Sequence, residues 1–305
     1  MDWDKLRVFY SAAETRSFTR AGERLNLSQS AISRQIAALE HSLKTTLFHR
    51  HARGIVLTEQ GELLRNTVSD VFKKIEHVES QLMDSGDMPR GDLRIAAPIG
   101  LGSTCLPPMI REFLDIYPDI RLQLILSDCE LDLTQREADV AIRLYPAPQG
   151  NLIQRRLMTV HHQLYGSRDY LSLRGAPNRP EDLDEHDFVV YGPEVPTWFR
   201  HVNWGRDFGA GRQKREPVLW VNNIVGVLRA VESGVGIATL PHYLTEGSSQ
   251  LVRLLPKLEA PRLDAYFVYP EALRKSKRVA VLRDFLVRKL AVSPAGAIEC
   301  VPARR

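Results

Sequence analysis

Hydrogen-bonding side chains cluster at helical spacing near the amino terminus. Ser30, Ser33 and Arg34 fall on one side of a predicted helix, and Gln29 projects from its first turn. Glutamine can pair with the edge of adenine and arginine with that of guanine in the major groove of DNA. Small neighbouring side chains let the helix backbone come close to the bases. The chemistry that these residues favour is therefore base recognition.

Two predicted helices position that surface. Apolar residues at spacings of three and four after Ser17 predict a helix that ends near Asn26, and Ser28 can cap a second helix. This is the helix-turn-helix arrangement. The second helix carries an apolar stripe that we expect to face the core, comprising Ile32, Ile36, Leu39 and Leu43. A helical hairpin with an ordinary basic surface is the alternative.

A β-hairpin with a basic tip is predicted next. Apolar residues on both sides flank Arg50, Arg53 and Gly54, which is typical of a wing. An arginine at such a tip can bind phosphate or enter the minor groove, where negative potential is concentrated. Between residues 16 and 53, seven basic residues stand against two acids, but a basic run alone is often only a solvated surface.

The segment 17–64 resembles the amino-terminal domain of LysR-type transcriptional regulators. It follows the family pattern nearly position for position, from SFTRAGERLNL through SQSAISRQIAALE to RHARGIVLT. The resemblance implies that the helix from Ser28 to about Ser42 enters the major groove, that Arg53 reaches the minor groove and that Arg50 meets phosphate or supports the wing. The DNA-binding residues that it implies are Ser28, Gln29, Ser30, Ser33, Arg34, Arg50 and Arg53.

A long helix is predicted to follow Thr58. Apolar residues repeat along it at alternating spacings of four and three, which is the a/d pattern of a coiled coil. The repeat comprises Leu64, Val68, Val71, Ile75, Val78 and Leu82. So narrow a seam favours pairing with a second copy of the helix, and packing within one chain is the alternative. Residues 84–91 contain Gly, Pro and charge, which predicts a domain boundary.

From Asp92 onward, strand-like and helix-like segments alternate, which predicts a parallel sheet with helices on its faces. The predicted strands are 92–98, 120–126, 139–144, 218–221 and 235–241, and the predicted helices are 106–118, 131–138 and 222–234. These segments resemble the periplasmic-binding-protein-like effector domain of the same family. That resemblance implies two α/β subdomains, between which the chain crosses near 161–163 and 265–267.

Ligands of such sheets bind beyond the carboxyl ends of the strands. By resemblance, the effector-binding candidates are Gly102, Ser103, Thr104, Ser127, Asp128, Asn222 and Asn223. A helix start carrying Ser103 and Thr104 suits a small organic anion, through free N–H groups and the helix dipole. Each of these residues is equally suited to capping a helix.

Cys105 and Cys129 follow neighbouring predicted strands, so one hypothesis makes them a redox-sensing pair in a shared cleft. Two ordinary buried apolar residues are the alternative. The segment Gly100–Cys105 imitates part of a dinucleotide-binding fingerprint, but the third glycine is missing. A nicotinamide enzyme therefore stays an alternative of little weight, and we predict neither catalytic residues nor a metal site nor a cofactor.

The composition, with 44% hydrophobic and 26% charged residues, is that of a globular protein. No apolar run reaches membrane-spanning length, and no signal peptide is recognisable, so we expect a cytoplasmic protein. The missing signal and the amino-terminal module argue against the remaining alternative, a periplasmic binding protein.

We therefore predict an α+β protein with a winged helix-turn-helix at 1–58, a long linker and dimerisation helix at 59–88, and an effector domain at 89–293. The expected subdomains are 89–161 with 267–293, and 162–266, followed by a disordered tail at 294–305. The resemblance implies a bacterial, sequence-specific transcriptional regulator. The implied partners are double-stranded promoter DNA, a small-molecule effector, a second copy bound through the linker helix, a homotetramer and RNA polymerase.

Overall fold

The computed structural model describes residues 2–51, 54–83, 88–148, 150–195, 197–209 and 215–291. The chain divides into two compact units, Met1–Leu82 and Met83–Arg305. The predicted wing residue Arg53 and the predicted tail lie outside the described residues. Among the described helices, none combines the length and the apolar character that crossing a membrane requires.

Three helices begin the first unit, namely α1 (Trp3–Thr15), α2 (Phe18–Leu25) and α3 (Gln29–Leu43). Each starts after a side chain that accepts a backbone N–H of the first turn, from Asp2, Ser17 and Ser28 respectively. Asn26 adopts a left-handed conformation at the end of α2 and redirects the chain. The predicted helix-turn-helix and both of its predicted serine caps are confirmed.

The apolar stripe of α3 is buried over most of its length. Ile32, Ile36 and Leu39 are fully buried in a core shared with Phe9 of α1. Leu43 is 36% exposed, so the prediction that it faces the core is wrong. Leu43 is the last residue of α3. At this end the helix extends beyond the core that its earlier turns cover.

The predicted wing is a hairpin of β1 (Phe48–His51) and β2 (Gly54–Leu57), in which Phe48 lies opposite Leu57. The carboxylate of Glu40 on α3 accepts the N–H groups of Leu47 and Phe48 at 2.7 and 3.2 Å. The wing is thereby tied directly to the second helix of the helix-turn-helix.

The connecting helix is α4 (Glu59–Met83). Residues 84–87 of the predicted 59–88 lie outside the described residues. The Thr58 hydroxyl accepts the N–H of Gly61 at 3.0 Å and thus caps the helix. The seam has two parts, because Val68 is buried in the core of the first unit whereas Val71 and Ile75 are exposed. Leu64 is half-buried against the same core as Val68. The side chains of Val78 and Leu82 lie outside what the structure describes.

A seven-stranded sheet organises the second unit, in the order β10-β6-β11-β5-β3-β4, with β9 also paired to β6. Its strands are β3 (Gly91–Ala97), β4 (Ile120–Leu126), β5 (Val140–Arg143), β6 (Leu152–Ser167), β9 (Ala238–Pro241), β10 (Leu251–Leu254) and β11 (Arg262–Pro270). A separate parallel pair is formed by β7 (Val189–Tyr191) and β8 (Leu219–Val221). The helices are α5 (Ile99–Thr104), α6 (Leu106–Ile116), α7 (Arg168–Arg174), α8 (Trp204–Asp207), α9 (Ile224–Glu232), α10 (His242–Thr245) and α11 (Lys277–Ala291).

The long strand β6 belongs to both halves of this unit. It pairs with β11 as far as His161 and with β9 from His162 onward. We call the part with β3, β4 and β5 the first lobe, and the part with β7 to β10 the second lobe. The partner of β6 thus changes within the segment 161–163, and β11 has a register shift between Ala265 and Tyr266.

The prediction of a helix at 131–138 is wrong, because this segment consists of turns. One oxygen of the Asp132 carboxylate accepts the N–H groups of Thr134 and Gln135 at 2.7 and 3.2 Å. Such local bonds compete with a helical ladder. Arg136 then adopts a positive φ of 60°, which ends the turn.

His162 is a buried titratable residue at the change of partners on β6. Its ring lies 6.2 Å from that of Phe199, edge to face. Burial is the main cause that lowers the pKa of His162 to about 4, and the neighbouring His161 and His201 lower it further. The imidazole is therefore neutral in the folded protein at neutral pH.

We predict an acid-sensitive contribution of His162 to stability. The unfolded chain, with an ordinary histidine pKa near 6.5, binds more protons than the folded chain between about pH 4 and 6.5, so stability falls as the pH falls through that range. The loss between pH 7 and pH 5 is about 2 kcal/mol. His162→Leu removes this loss, so its free energy of unfolding in urea falls less over that range than the wild-type value. An identical pH dependence would contradict the assignment.

Candidate functional site

The solvent-facing side of α3 presents polar side chains. Gln29, Ser30 and Arg34 are exposed, and Ser33 is half-buried. Arg34 makes no ion pair with any described residue. The Ser28 hydroxyl accepts the N–H of Ala31 at 3.2 Å and lies 3.0 Å from the hydroxyl of Ser30. Ser28 therefore serves first as a cap, and the other residues form a surface that a ligand can reach.

For the wing arginines, the structure describes only the backbone of Arg50. Arg50 lies in β1 opposite Ile55 of β2. Its side chain, like the whole of Arg53, is outside what the structure describes. The roles of both arginines stay predictions.

A cleft opens in the second unit, where the parallel strands β3, β4 and β5 end. Its accessible volume is about 30 Å³, room for about two water molecules. A larger ligand therefore requires the cleft to open. Small side chains at the strand ends, Ala96, Ala97 and Ala141, leave that space vacant. Trp198 of the second lobe closes one side, so both lobes line the cleft.

Asp128, just after β4, joins the two lobes beside this cleft. One of its carboxylate oxygens accepts the N–H of Ile99 at 3.0 Å, at the start of α5. The other accepts the hydroxyl of Tyr191, on β7 of the second lobe, at 3.0 Å. Burial and the Asp128 charge raise the pKa of Tyr191, so this hydroxyl keeps its proton and remains a donor.

Arg143, the last residue of β5, brings a buried positive charge to the cleft. It is only 5% exposed, and its Nη1 lies 2.8 Å from the Glu130 carboxylate. Its Nη2 donates to the carbonyl of Leu131 at 3.0 Å. The guanidinium carbon is 5.8 Å from the centre of the Tyr145 ring. One wall of the cleft thus contains a buried positive charge that is hydrogen-bonded to a backbone carbonyl and lies near an aromatic ring.

An aromatic pair forms the wall next to Arg143. The rings of Tyr145 and Trp198 stack with their centres 5.3 Å apart and an angle of 25° between their planes. The Tyr145 hydroxyl is buried near the Glu130 carboxylate and makes no well-aligned hydrogen bond with a described residue. A planar apolar surface therefore lies beside a cation.

Comparison with known proteins decides which family this arrangement represents. A model described as the LysR substrate binding domain matches residues 86–291, and one described as a bacterial regulatory helix-turn-helix protein of the lysR family matches residues 3–62. The chain belongs to the LysR family. It is a DNA-binding transcriptional regulator with an effector-binding domain, and not an enzyme.

Individual LysR-type regulators align over nearly the whole chain. YhjC of Escherichia coli K12 is 31% identical over 92% of this chain and 95% of its own length. PgrR, from the same organism, is 32% identical over 87% and 89%. The full-length structure of AphB, a virulence activator of Vibrio cholerae, has 26% identity and a TM-score of 0.63, covering 95% of this chain and all of AphB.

Two of the predicted effector-binding residues of this LysR-type regulator, Ser127 and Asp128, line the cleft. The Ser127 hydroxyl accepts the N–H of Cys129 at 3.0 Å and donates to its carbonyl at 3.1 Å. Both oxygens of Asp128 are engaged by Ile99 and Tyr191, as described above. Ser127 therefore shapes the cleft wall, and Asp128 also holds the two lobes together.

The structure places Gly102, Ser103 and Thr104 elsewhere. The helix that follows β3 starts at Ile99, earlier than expected, so these residues lie at its end and not at its start. The hydroxyls of Ser103 and Thr104 donate to the carbonyls of Ile99 and Gly100 in their own helix. A Cβ at Gly102 would come within 2.0 Å of Cδ2 of Leu126, so the end of that side chain would have to move.

Asn222 and Asn223 also lie outside the residues that line the cleft. The side chain of Asn223 accepts the N–H groups of Val225 and Gly226 at 2.8 and 3.2 Å and so caps α9. Asn222 is exposed just before this cap. Asn223 therefore acts as a helix cap, the alternative to its predicted role in effector binding.

The two cysteines of the redox hypothesis are not bonded to each other. Cys105 is fully buried in the main hydrophobic core of the second unit. Cys129 is an exposed free cysteine at the cleft. Across the described residues, no group of three or more His, Cys, Asp and Glu side chains is arranged to hold a metal ion.

Sequence reasoning missed Arg143, Glu130, Tyr145, Trp198 and Tyr191. For one of them a signal was present, because Arg143 is a charged residue at the end of the otherwise apolar strand VAIR. A charge in a buried strand needs a partner or a ligand. The aromatic residues of the second lobe reach the cleft only through tertiary folding, which a sequence pattern does not encode.

We predict that the bond between Tyr191 and Asp128 stabilises the second unit. Tyr191→Phe removes the hydroxyl and leaves one buried carboxylate oxygen without its donor, so the free energy of unfolding falls by about 1–2 kcal/mol. Urea denaturation measures this change. Tyr117→Phe is the control, because the half-buried Tyr117 hydroxyl has no hydrogen bond to a described residue. If Tyr191→Phe and Tyr117→Phe have the same free energy of unfolding, the bond between Tyr191 and Asp128 does not stabilise the second unit.

Proposed function

We propose that α3 enters the major groove of promoter DNA and reads bases with Gln29, Ser30, Ser33 and Arg34. The supporting observation is that α3 buries Ile32, Ile36 and Leu39 while its opposite side is polar and accessible. Arginine there can bind guanine with two hydrogen bonds. Ser28 caps the start of α3. The free N–H groups of the first turn of α3 are suited to binding a phosphate of the DNA backbone.

The wing completes this proposed interface. Arg50 contacts phosphate and Arg53 reaches the minor groove, as the family resemblance implies. The bond between Glu40 and the start of β1 holds the wing in a fixed relation to α3. Phosphate contacts fix the register of a protein on the duplex, while the base contacts supply specificity.

The proposed effector is a small organic anion that binds in the cleft between the lobes. Support comes from the position of the cleft at the carboxyl ends of β3, β4 and β5 and from the buried charge of Arg143. Because Trp198 and Tyr191 come from the second lobe, a ligand there can shift how the lobes close.

Assembly is proposed to transmit that shift to DNA. Two chains pair through α4, where Val71 and Ile75 expose apolar surface, and two such dimers form a homotetramer. The proposed limits are a DNA-binding domain at 1–58, a linker at 59–88 and an effector domain at 89–293. RNA polymerase is a further proposed partner, and a promoter-binding role supports a cytoplasmic location.

Arg34→Ala should abolish most of the sequence preference. Losing a bidentate base contact costs about 1–3 kcal/mol, so affinity for duplexes selected by the wild-type protein from a random pool falls roughly 5- to 150-fold. Gel-shift titration measures this, with non-selected duplex as reference. Arg111→Ala, which removes one exposed positive charge from α6, controls for net charge. If Arg34→Ala and Arg111→Ala bind selected duplex equally, α3 is not the reading helix as proposed.

Ile75→Asp should break the proposed dimer. A carboxylate in an apolar seam loses its water on association, so the dissociation constant rises by at least about tenfold. Light scattering over a dilution series measures the mass. Leu63→Asp is the matched control, because Leu63 is 71% exposed on α4 and lies off the seam. An unchanged mass for Ile75→Asp at every concentration would argue against pairing through α4.

A further inference from the structure

The cleft holds a buried cation whose counterion is supplied by the chain itself. Arg143 is 5% exposed at its side chain, whereas Glu130 is 42% exposed. The two approach to 2.8 Å, yet Nη1 of Arg143 is not aligned for a hydrogen bond with any described residue. The pair is therefore held by charge more than by bonding geometry.

The two partners differ in what separation would cost. A guanidinium buried this deeply requires a negative partner at all times, because an uncompensated buried charge is strongly unfavourable. Glu130 lies in the irregular segment after β4 and is already partly in water. It can move into solvent at little cost if another carboxylate takes its place.

The surroundings of Arg143 suit a ligand with a carboxyl group and a flat apolar body. The stacked rings of Tyr145 and Trp198 supply a planar wall beside the small alanine side chains of the strands. The lobe that carries Trp198 must move away to admit a ligand there. The buried Tyr145 hydroxyl lies near the Glu130 carboxylate, but no hydrogen bond of good geometry joins it to a described residue. Burial and the nearby Glu130 raise its pKa, so it is a neutral donor ready for a second carboxylate oxygen.

We propose that the effector is a small planar carboxylate whose carboxyl group displaces Glu130 from Arg143, so that Glu130 acts as a built-in competitor. This rests on the proposed effector function of the cleft. The exchange conserves charge, because one carboxylate replaces another on the same guanidinium. A ligand that binds with two parallel N–H···O bonds improves on the misaligned contact of Glu130.

The displaced segment also carries the contact between the lobes. Glu130 lies two residues after Asp128, which holds Tyr191, and one before Leu131, whose carbonyl accepts from Arg143. Release of Glu130 therefore alters a segment that is bonded at both ends to the two lobes. A structural change caused by effector binding is therefore transmitted to the lobe interface through residues 128–131.

The test uses the full-length protein, with acetate, benzoate and indole-3-acetate as probes and benzamide as the neutral counterpart of benzoate. Glu130→Gln removes the competitor and leaves Arg143 with only the weaker interaction of the Asp132 carboxylate. We expect a lower melting temperature without ligand, recovery of that temperature by a planar carboxylate, and binding on the order of tenfold tighter than to wild type. Benzamide should show neither effect.

Two further variants complete the design. Glu130→Asp, a shorter competitor, should show the same preference in weaker form and serves if Glu130→Gln does not fold. Glu112→Gln is the matched control, since Glu112 pairs with Lys289 at 2.6 Å outside the cleft lining, and it should bind each probe as wild type does. The proposal is overturned if no carboxylate favours the Glu130 variants over wild type and over Glu112→Gln.

A gel-shift titration separates this inference from the proposed function. If a carboxylate binds Glu130→Gln more tightly but leaves DNA binding of the wild-type protein unchanged, the Arg143 site stands and control by that effector fails. If DNA binding responds to compounds without a carboxyl group while the variants show no carboxylate preference, the inference about Arg143 fails and effector control stands.

Discussion

The carboxylate of Asp128 is the contact on which the arrangement of the effector-binding unit depends. It accepts one hydrogen bond from the start of α5 and one from Tyr191 of the other lobe, both at 3.0 Å. A buried carboxylate that takes two donors is strongly fixed in position. The segment that follows it, with Glu130 and Leu131, is thereby held against Arg143. The cleft wall and the lobe contact are consequently parts of the same short stretch of chain.

In the DNA-binding unit, too, a few contacts connect the main elements, which are α3, the wing and α4. Helix α3 uses one side for the core and leaves the other for a ligand, and Glu40 near its end holds the wing. Thr58 joins the wing to α4, whose first turns pack on the same core through Val68. A change in the direction of α4 is therefore tied to the core beneath α3. This continuity would give the proposed pairing through Ile75 a route to the proposed DNA-binding surface.

The fold was largely predictable where the signals are local. Serine caps and apolar spacings define α2 and α3, and alternating segments define β3 to β5. Local signals failed at 131–138, where the Asp132 side chain replaces a helix by turns, and at Ser103 and Thr104, where the helix begins one turn earlier.

The site was less predictable, because its residues meet only through the fold. Ser127 and Asp128 follow a strand end and could be found by that rule. Trp198 reaches the cleft from a different lobe, and the partner of Arg143 is thirteen positions away, in an irregular segment. Neither a period nor a motif links such residues. A charge at the end of a buried strand is the one local clue to the cation at the cleft wall.

Hydrogen–deuterium exchange of the full-length protein tests the central claim, that a carboxylate ligand binds between Arg143 and Trp198, most directly. The measurement compares amide protection with and without the probe that most stabilises the protein. Our account predicts slower exchange in 127–131, 141–145 and 197–203. Protection confined to other segments, with these three unchanged, would contradict it.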